Sequence, residues 1–361
     1  MGKGIGSWRN YIEMPVSEWD DYMIHQVTDT IEMVGTFDPH FMERLIFVSH
    51  NAEGTLHLIA GAGTYPNAGV MDGFVCVRYK DIQRNIRISR HLQNDRARTE
   101  IGPLSFKVFE PLKHWEINLG ENDYGIGCSL EFRGRAAPFV WPITSRESRI
   151  AGPAKRMHAH FDQPGFYTGT ITFEDQQFKA DGFLGARDRS WGIRRPTWFR
   201  MTGLYFWTQA QFSNFSLCLF YSDSGSSFRG GAAAILNDDG SVIPIVNLRH
   251  RIEFMPTFRD YIKVEYVLVD ASGKERYLTA TPISPQNYMA GGGYDNRMGV
   301  DMGPFHIDGE QWTVTPPVGI DSPRFGYNER DALFELDGEP GVGFVECAFP
   351  RDPTWQYKPT I

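Results

Sequence analysis

The sequence predicts an all-β protein of two β-rich halves, each an antiparallel sandwich or barrel. Apolar runs of strand length recur along most of the chain about every ten residues, with turn residues between them. Phe, Tyr and Trp make up 14% of the 361 residues, which suits β-structure and the walls of apolar pockets. The pattern is interrupted near residues 181–200 and then resumes. We therefore expect one domain at residues 1–185 and a second at residues 186–361.

The first half begins with mixed sequence and then turns to strands. A short helix is predicted within residues 16–34, where Ser17 and Asp20 have the spacing of a capping box. Prolines and a glycine break the strand pattern over residues 133–160, and a loop of this length is often functional. Runs of apolar and β-branched residues predict strands at residues 44–50, 55–60, 73–79, 82–89, 104–109, 114–119, 127–132, 165–173 and 177–180.

The second half repeats this pattern. Asp239 and Gly240 stand between two apolar runs, which is a typical hairpin signal. Strands are predicted at residues 204–210, 215–221, 231–236, 241–246, 261–268, 276–281, 333–336 and 341–349.

The composition excludes several classes of protein. A net charge of −8 argues against a nucleic-acid partner, which would require a basic face. The first residues lack the apolar core of a signal peptide, and no run reaches the length of a membrane helix, so no integral membrane segment is expected. A homodimer stays open. The widely spaced cysteines are predicted to be buried, reduced thiols of a cytoplasmic protein: Cys76, Cys128, Cys218 and Cys347.

Residues 182–195 have the most unusual composition in the chain. Asp188 and Trp191 stand among arginines and are bracketed by glycines. Arginine is favoured over lysine where a planar, permanently charged group must hold a carboxylate or stack on a ring. Two interpretations stay open: a polar centre within a functional pocket, or a salt-bridge cluster that joins the two halves. The arginines are Arg187, Arg189, Arg194 and Arg195.

Asp188 and His160 are the candidate acid–base pair. They lie on either side of the hairpin predicted at residues 165–181, so its two flanks should bring them side by side. A carboxyl group and an imidazole that face one cavity can exchange a proton with a substrate. Arg187 and Arg189 should lower the pKa of Asp188 and burial should raise it, and the sequence leaves the balance open.

Other motifs carry less information. His158 and His160 share one face of an extended segment, but two ligands do not make a metal site, so no metal is predicted. The chain has no strand–GxGxxG–helix unit, P-loop or Gly-x-Ser-x-Gly elbow, so no nucleotide cofactor is predicted. The glycine run before Tyr294 and Arg297 is either a lid over a pocket or a flexible surface loop.

The segment Tyr167-x-Gly-x-Ile-x-Phe173, followed by Gly182-x-x-Gly-x-Arg-Asp-Arg-Ser-Trp-Gly192, resembles the carotenoid 1,2-hydratase (hydroxyneurosporene synthase) and AttH-like superfamily. That superfamily is built from two lipocalin-like (calycin) β-barrels and also includes lipocalin-like Diels–Alderases. The resemblance implies that Asp188 takes the place of the hydratases' proton donor, Trp191 that of the motif's tryptophan, and His160 that of the best-aligned partner. Arg189 and Ser190 stand where the hydratases have His and Glu, and Ala186 replaces a tyrosine. These departures imply that the proton chemistry is kept while the substrate and the outcome of the reaction differ.

The resemblance and the residues together suggest a cofactor-independent lyase that acts on a hydrophobic terpenoid or aromatic small molecule by general acid/base proton transfer. Hydration or dehydration of a C=C bond, or C–C cleavage that releases a small aldehyde, would fit, because neither reaction needs a redox centre. The alternatives are a non-catalytic carrier of a hydrophobic ligand and an isomerase or pericyclic cyclase on the same scaffold. The expected catalytic residues are Asp188, His160 and Arg189. The expected substrate-binding residues are Arg187, Trp191, Arg194, His158, Tyr205, Trp207, Tyr294 and Arg297.

Overall fold

The computed structural model describes residues 18–25, 28, 36, 38–92, 98–141, 158–194, 203–223, 229–256, 258–317, 326–350 and 354–361. Much of the helix predicted within 16–34 lies outside these ranges, as do residues 142–157 of the proline-rich excursion and Arg195. Within the described part of the chain, helix is limited to short 3-10 turns at Glu18–Asp21, Pro66–Ala68 and Met289–Gly292. No helix in that part is long and apolar enough to cross a membrane.

Antiparallel strands make up the rest of the regular structure. The first twelve are β1 (Phe41–His50), β2 (Leu56–Tyr65), β3 (Val70–Tyr79), β4 (Ile82–His91), β5 (Glu100–Ile101), β6 (Leu104–Glu110), β7 (His114–Leu119), β8 (Ile126–Gly134), β9 (Phe139–Val140), β10 (His158–Phe173), β11 (Gln176–Lys179) and β12 (Phe183–Ile193). The others are β13 (Leu204–Gln211), β14 (Phe215–Asp223), β15 (Arg229–Asn237), β16 (Val242–Met255), β17 (Phe258–Asp270), β18 (Glu275–Pro282), β19 (Asn287–Tyr288), β20 (Phe305–Thr313), β21 (Tyr327–Leu336) and β22 (Glu339–Ala348).

These strands form two sheets. The first sheet runs in the order β20-β4-β3-β2-β1-β12-β10-β8-β7-β6-β5 and curls around a core that contains Phe47, Trp115 and Phe132. The second sheet contains β13 to β18, β21 and β22, and the pairing of β18 with β21 closes these eight strands into a barrel. The predicted fold class, all-β with two lipocalin-like antiparallel barrel or sandwich units packed together, is confirmed, with the first sheet curled as a half-barrel and the second closed.

The two sheets do not correspond to two consecutive halves of the chain. Strand β12 spans residues 185 and 186, and both of its neighbours, β1 and β10, belong to the first sheet. Strand β20 comes from late in the chain but pairs with β4 of the first sheet. The two domains expected at residues 1–185 and 186–361 stay a prediction. The sheets do not divide the chain at residue 185, because the first sheet also contains β12 and β20.

The layer where the two sheets pack face to face is called the junction here. Its apolar part combines side chains from both sheets, and four half-buried aromatic residues, Trp141, Tyr205, Tyr294 and Tyr327, pack against it. The buried members are Ile46, Val48, Ile59, Phe74, Cys76, Ala186, Trp207, Met289 and Phe344. The glycine run predicted to be a lid or a flexible loop is packed into this layer. Met289, Ala290, Gly291 and Gly292 are all buried, and a Cβ at Gly292 would collide with the ring of Phe74.

Candidate active site at the junction

Strand β12 places alternate residues in two different environments, because successive side chains of a strand point to opposite faces. Ala186 belongs to the junction, and Asp188 and Ser190 share its face. Arg187, Arg189 and Trp191 point to the opposite face. The arginine-rich motif therefore does not form one polar centre. It supplies one set of residues to the junction and another to the opposite face of the first sheet.

The arginines next to Asp188 in sequence are bound to the N-terminal segment. Arg187 pairs with Asp21 (Nη1–Oδ1 2.6 Å), and Arg189 pairs with Glu43 (Nη2–Oε2 2.7 Å), with both arginines fully buried. Trp191 is also fully buried and stacks on His25, with 4.2 Å between ring centroids. The structure does not bring these residues, expected to be catalytic or substrate-binding, to the face that Asp188 occupies. Their ion pairs stay within the first sheet and the N-terminal segment, so they do not join the two halves as the second interpretation expected.

Asp188 and His160 do meet, as the hairpin predicts. In the β10–β12 ladder His160 is paired with Ser190 and Asp162 with Asp188, so both pairs share the junction face. The His160 Nε2 atom lies 4.0 Å from Asp188 Oδ2 and 2.9 Å from Asp162 Oδ1. Trp141 donates from Nε1 to the other oxygen of Asp162 at 2.6 Å, and its ring contacts His160 at a tilt of 33° with 3.7 Å between centroids. Two donors thus fix the Asp162 carboxylate, and that carboxylate orients the His160 ring.

The pKa of Asp188 is raised to about 6, chiefly because burial disfavours its charged form. His160 opposes this rise, and the facing carboxylate of Asp162 adds to it. Arg44 and Arg194 are the arginines that act on Asp188, and both lower its pKa. Arg187 and Arg189 were expected to lower the pKa of Asp188, but their side chains point to the opposite face of the sheet. The named arginines were therefore wrong, and Arg44 and Arg194 take this part. A carboxyl group with a pKa near neutrality suits proton transfer.

The other predicted substrate-binding residues divide into two groups. Arg194, Tyr205, Trp207 and Tyr294 lie at the junction, where the guanidinium of Arg194 is 5.9 Å from the ring centroid of Tyr294. His158 lies on the same face of β10 as His160, and burial, His160 and Arg194 lower its pKa well below the usual range. Arg297 instead pairs with Asp295 at 2.7 Å and faces Glu310, away from Asp188.

Aromatic rings line the junction beside these polar groups. Trp141 stacks on Phe220 with centroids 3.9 Å apart, Tyr205 contacts Phe220 at 5.7 Å, and Tyr327 contacts Tyr205 at 5.6 Å. The Asp188 side chain keeps 12% of its surface accessible, although β12 lies in the middle of its sheet. This combination of aromatic walls and a few convergent polar groups is typical of sites for small apolar ligands.

Sequence reasoning missed Asp162, Trp141 and Arg44. Asp162 had a visible signal, because His158, His160 and Asp162 occur at every second position and must share one face of a strand. Trp141 lay in a proline-broken region with no periodicity. Arg44 reaches the junction from β1 and is about 140 residues from Asp188 in sequence. The pairing of β1 with β12 brings the two residues close, and local sequence pattern does not reveal that pairing.

A second buried polar network joins the two sheets. His57 of β2 bonds Asp331 (Nδ1–Oδ1 2.6 Å) and Glu329 (Nε2–Oε2 2.9 Å) of β21, and Arg78 of β3 bonds Asp331 (Nη2–Oδ2 2.6 Å). Burial alone would lower the pKa of His57, but the two carboxylates outweigh it and raise the pKa to about 9. The salt-bridge cluster that holds the halves together is therefore here and not at Asp188.

Comparison with known proteins assigns the chain to a family. A model of a family of unknown function (DUF8625) matches residues 16–321. The chain belongs to this family. No curated protein sequence matches it.

Solved structures share the fold of this DUF8625 member. An AttH candidate from Nitrosomonas europaea aligns with a TM-score of 0.56 and 13% identity over 87% of this chain and 94% of its own. CghA with Sch210972 aligns with a TM-score of 0.55 and 12% identity over 86% and 89%. Kievitone hydratase from Nectria haematococca aligns with a TM-score of 0.52 and 9% identity over 91% and 98%. The resemblance to the AttH-like superfamily is thus confirmed for the fold.

In the part of the chain that the structure describes, no group of three or more His, Cys, Asp or Glu side chains is arranged to hold a metal ion. His158 and His160 face the same way, with ring centroids 6.2 Å apart, and the Asp162 carboxylate beside them is hydrogen-bonded by both Trp141 and His160.

Proposed function

We propose that this protein is an enzyme that acts on a hydrophobic terpenoid or aromatic small molecule at the junction, by proton transfer from Asp188 with His160 as its partner. One observation supports this above all: the Asp188 carboxyl group is buried among aromatic side chains, 4.0 Å from His160 Nε2. The reaction class is that of a lyase, either a hydration or dehydration of a C=C bond or a C–C cleavage that releases a small aldehyde.

Hydration can be written with the residues of this site. The Asp188 O–H proton is transferred to one alkene carbon, and the π electron pair forms the new C–H bond. Water then bonds to the other carbon, and its proton passes to an imidazole nitrogen of His160. Because Asp162 accepts the Nε2–H hydrogen bond, Nδ1 is the nitrogen left with a lone pair. Return of a proton from His160 to Asp188 restores the starting state.

C–C cleavage uses the same two groups. His160 takes the proton of a substrate hydroxyl, the C–O bond becomes a carbonyl, and the adjacent C–C bond breaks to release a small aldehyde. The electron pair of the broken bond stays on the remaining fragment, and Asp188 supplies the proton to that carbon. Both reactions therefore require Asp188 in its protonated form, which a pKa of about 6 allows in a useful fraction near neutrality.

The test compares Asp188→Asn with a matched control, Asp175→Asn, which alters an exposed turn carboxylate between β10 and β11. Terpenoid and aromatic alcohols and alkenes are incubated with each protein in D₂O, and mass spectrometry follows gain or loss of water, loss of a small aldehyde and deuterium on carbon. We expect the control to match wild type and Asp188→Asn to lose roughly 10²–10⁴-fold in rate.

A carrier or a pericyclic cyclase would behave differently. If Asp188→Asn keeps wild-type turnover, the proposed acid is refuted, and a cavity that only shapes its substrate becomes the better account. If Asp188→Asn lowers the melting temperature sharply and leaves ligand affinity unchanged, Asp188 is structural. We expect no such loss of stability, because Oδ1 of Asp188 is buried with no hydrogen-bond partner among the described residues.

A further inference from the structure

Arg44 is a buried cation that has no hydrogen-bonded partner among the residues that the structure describes. Its side chain is 2% exposed, and none of its three guanidinium nitrogens has a hydrogen-bond acceptor in the described part of the chain. Its guanidinium lies over the ring of Tyr294, 5.2 Å from the centroid. Every other buried arginine considered above is paired: Arg78 with Asp331, Arg187 with Asp21 and Arg189 with Glu43.

Such an arrangement is costly unless something supplies the missing acceptors. A buried guanidinium stays charged, so it cannot avoid the desolvation penalty by losing its proton. The nearest carboxyl groups, Asp72 and Asp188, act on Arg44 electrostatically but form no ion pair with it among the described residues. Burial raises the pKa of both carboxyls, which weakens their ability to offset its charge near neutral pH.

Arg44 is placed to act on the same ligand as Asp188. Strand β1 pairs with β12 so that Arg44 is opposite Ser190 and Ile46 is opposite Asp188. Arg44 and Asp188 are therefore diagonal neighbours on one face, a separation of about 7–8 Å that a long side chain can bridge. Tyr294, which contacts Arg44 and packs against the apolar residues of the junction, is half-buried.

We infer that Arg44 binds an anionic oxygen group of the substrate, most simply a carboxylate, so that the ligand is a hydrophobic aromatic or terpenoid acid and not a neutral hydrocarbon. This inference rests on the proposed function, because it assigns a substrate class to the site of Asp188. The planar guanidinium offers a carboxylate two parallel N–H donors, and this geometry fixes orientation as well as charge. With the anion held at Arg44, the carbon that receives the proton lies toward Asp188.

The test uses two probes of nearly the same shape, 2-naphthoate and 2-naphthamide, with dissociation constants measured by titration calorimetry. We expect wild type to bind the anion roughly 10- to 100-fold more tightly than the amide. Arg44→Gln should abolish this preference, and Arg44→Lys should keep part of it, since lysine retains the charge without the fork. Arg133→Gln, an exposed arginine on β8, is the matched control and should keep the full preference.

The outcomes separate this inference from the proposed function. The ratio of the two constants within one folded variant does not depend on its stability, so moderate destabilisation leaves the test valid. Equal affinity of wild type for the probes, an unchanged ratio in Arg44→Gln, or failure of both Arg44 variants to fold would overturn the inference. Asp188→Asn should keep the preference even if it proves to have no catalytic effect, so loss of one proposal is distinguishable from loss of the other.

Discussion

Asp331→Asn should weaken the packing of the two sheets in a way that depends on pH. The Asp331 carboxylate accepts hydrogen bonds from His57 and Arg78 at 2.6 Å each, and all three side chains are fully buried. The asparagine would leave two buried cations without their main counter-charge. Removal of one partner from a buried ion pair costs about 3–5 kcal/mol. In a cooperative unfolding of a chain this long, that corresponds to a melting temperature about 4–7 °C lower.

The pH dependence follows from the raised pKa of His57. Because the folded-state pKa is about 9 and the unfolded value is about 6.5, protonation of His57 stabilises the wild type fully below pH 6.5, and this contribution disappears as the pH rises through 9. The contribution of His57 protonation to the free energy of unfolding is about 3 kcal/mol. The variant lacks Asp331, the larger of the two contributions that raise this pKa, and keeps Glu329, so the stability gap between the two proteins should be largest near pH 6 and narrow by up to about 3 kcal/mol toward pH 10.

Urea-induced unfolding between pH 6 and pH 10, followed by tryptophan fluorescence, measures this gap. The matched control is Asp238→Asn, because Asp238 also connects the sheets through Arg135 but is 45% exposed. It should cost at most about 1 kcal/mol, with no pH dependence in this range. A gap for Asp331→Asn that is no larger than that of the control, or that does not change with pH, would refute the account of the buried network.

Three further predictions concern the site and strand β12. For hydration or C–C cleavage, kcat/KM should fall as pH rises through about 6, because Asp188 acts as an acid in those directions. Asp162→Asn should shift this fall to lower pH, because the facing carboxylate that raises the pKa of Asp188 is gone. A pH–rate profile tests both expectations. Trp141→Phe keeps an aromatic ring at this position but removes the hydrogen bond to Asp162. Turnover should therefore drop about tenfold while the melting temperature stays nearly unchanged. A large fall in the melting temperature would contradict a positioning role for Trp141. Gly185→Ala should lower the free energy of unfolding by more than about 3 kcal/mol in urea, because the new Cβ would overlap a carbonyl oxygen of β1. Gly182→Ala should lower it by about 1 kcal/mol, because only the positive φ opposes that substitution. Similar losses for both variants would show that the strands can separate.

Local sequence pattern was sufficient for much of the fold. The alternation at residues 82–89 and the turn residues between runs predicted the strands because burial of one face leaves a period of two in the sequence. The hairpin at 165–181 was also sufficient to bring His160 and Asp188 together, since its two arms must run side by side. These successes concern contacts between strands that are adjacent or nearly adjacent along the chain.

Contacts between distant strands were beyond the reach of such patterns. The partners of Arg187 and Arg189 are Asp21 and Glu43, more than a hundred residues away, and composition alone suggested Asp188 instead. Likewise, β20 pairs with β4 of the first sheet although strands of the second sheet come before and after it in the chain. Register and strand order depend on the whole set of apolar faces that must be buried together, and no short segment contains that information.

The alternation along β12 separates two kinds of change that the protein can undergo. Substitution at positions 186, 188 or 190 alters the surface that a ligand would meet, whereas substitution at 187, 189 or 191 alters the attachment of the N-terminal segment. New specificities can therefore arise within this strand by changing every second residue, and the intervening residues can keep the domain folded meanwhile.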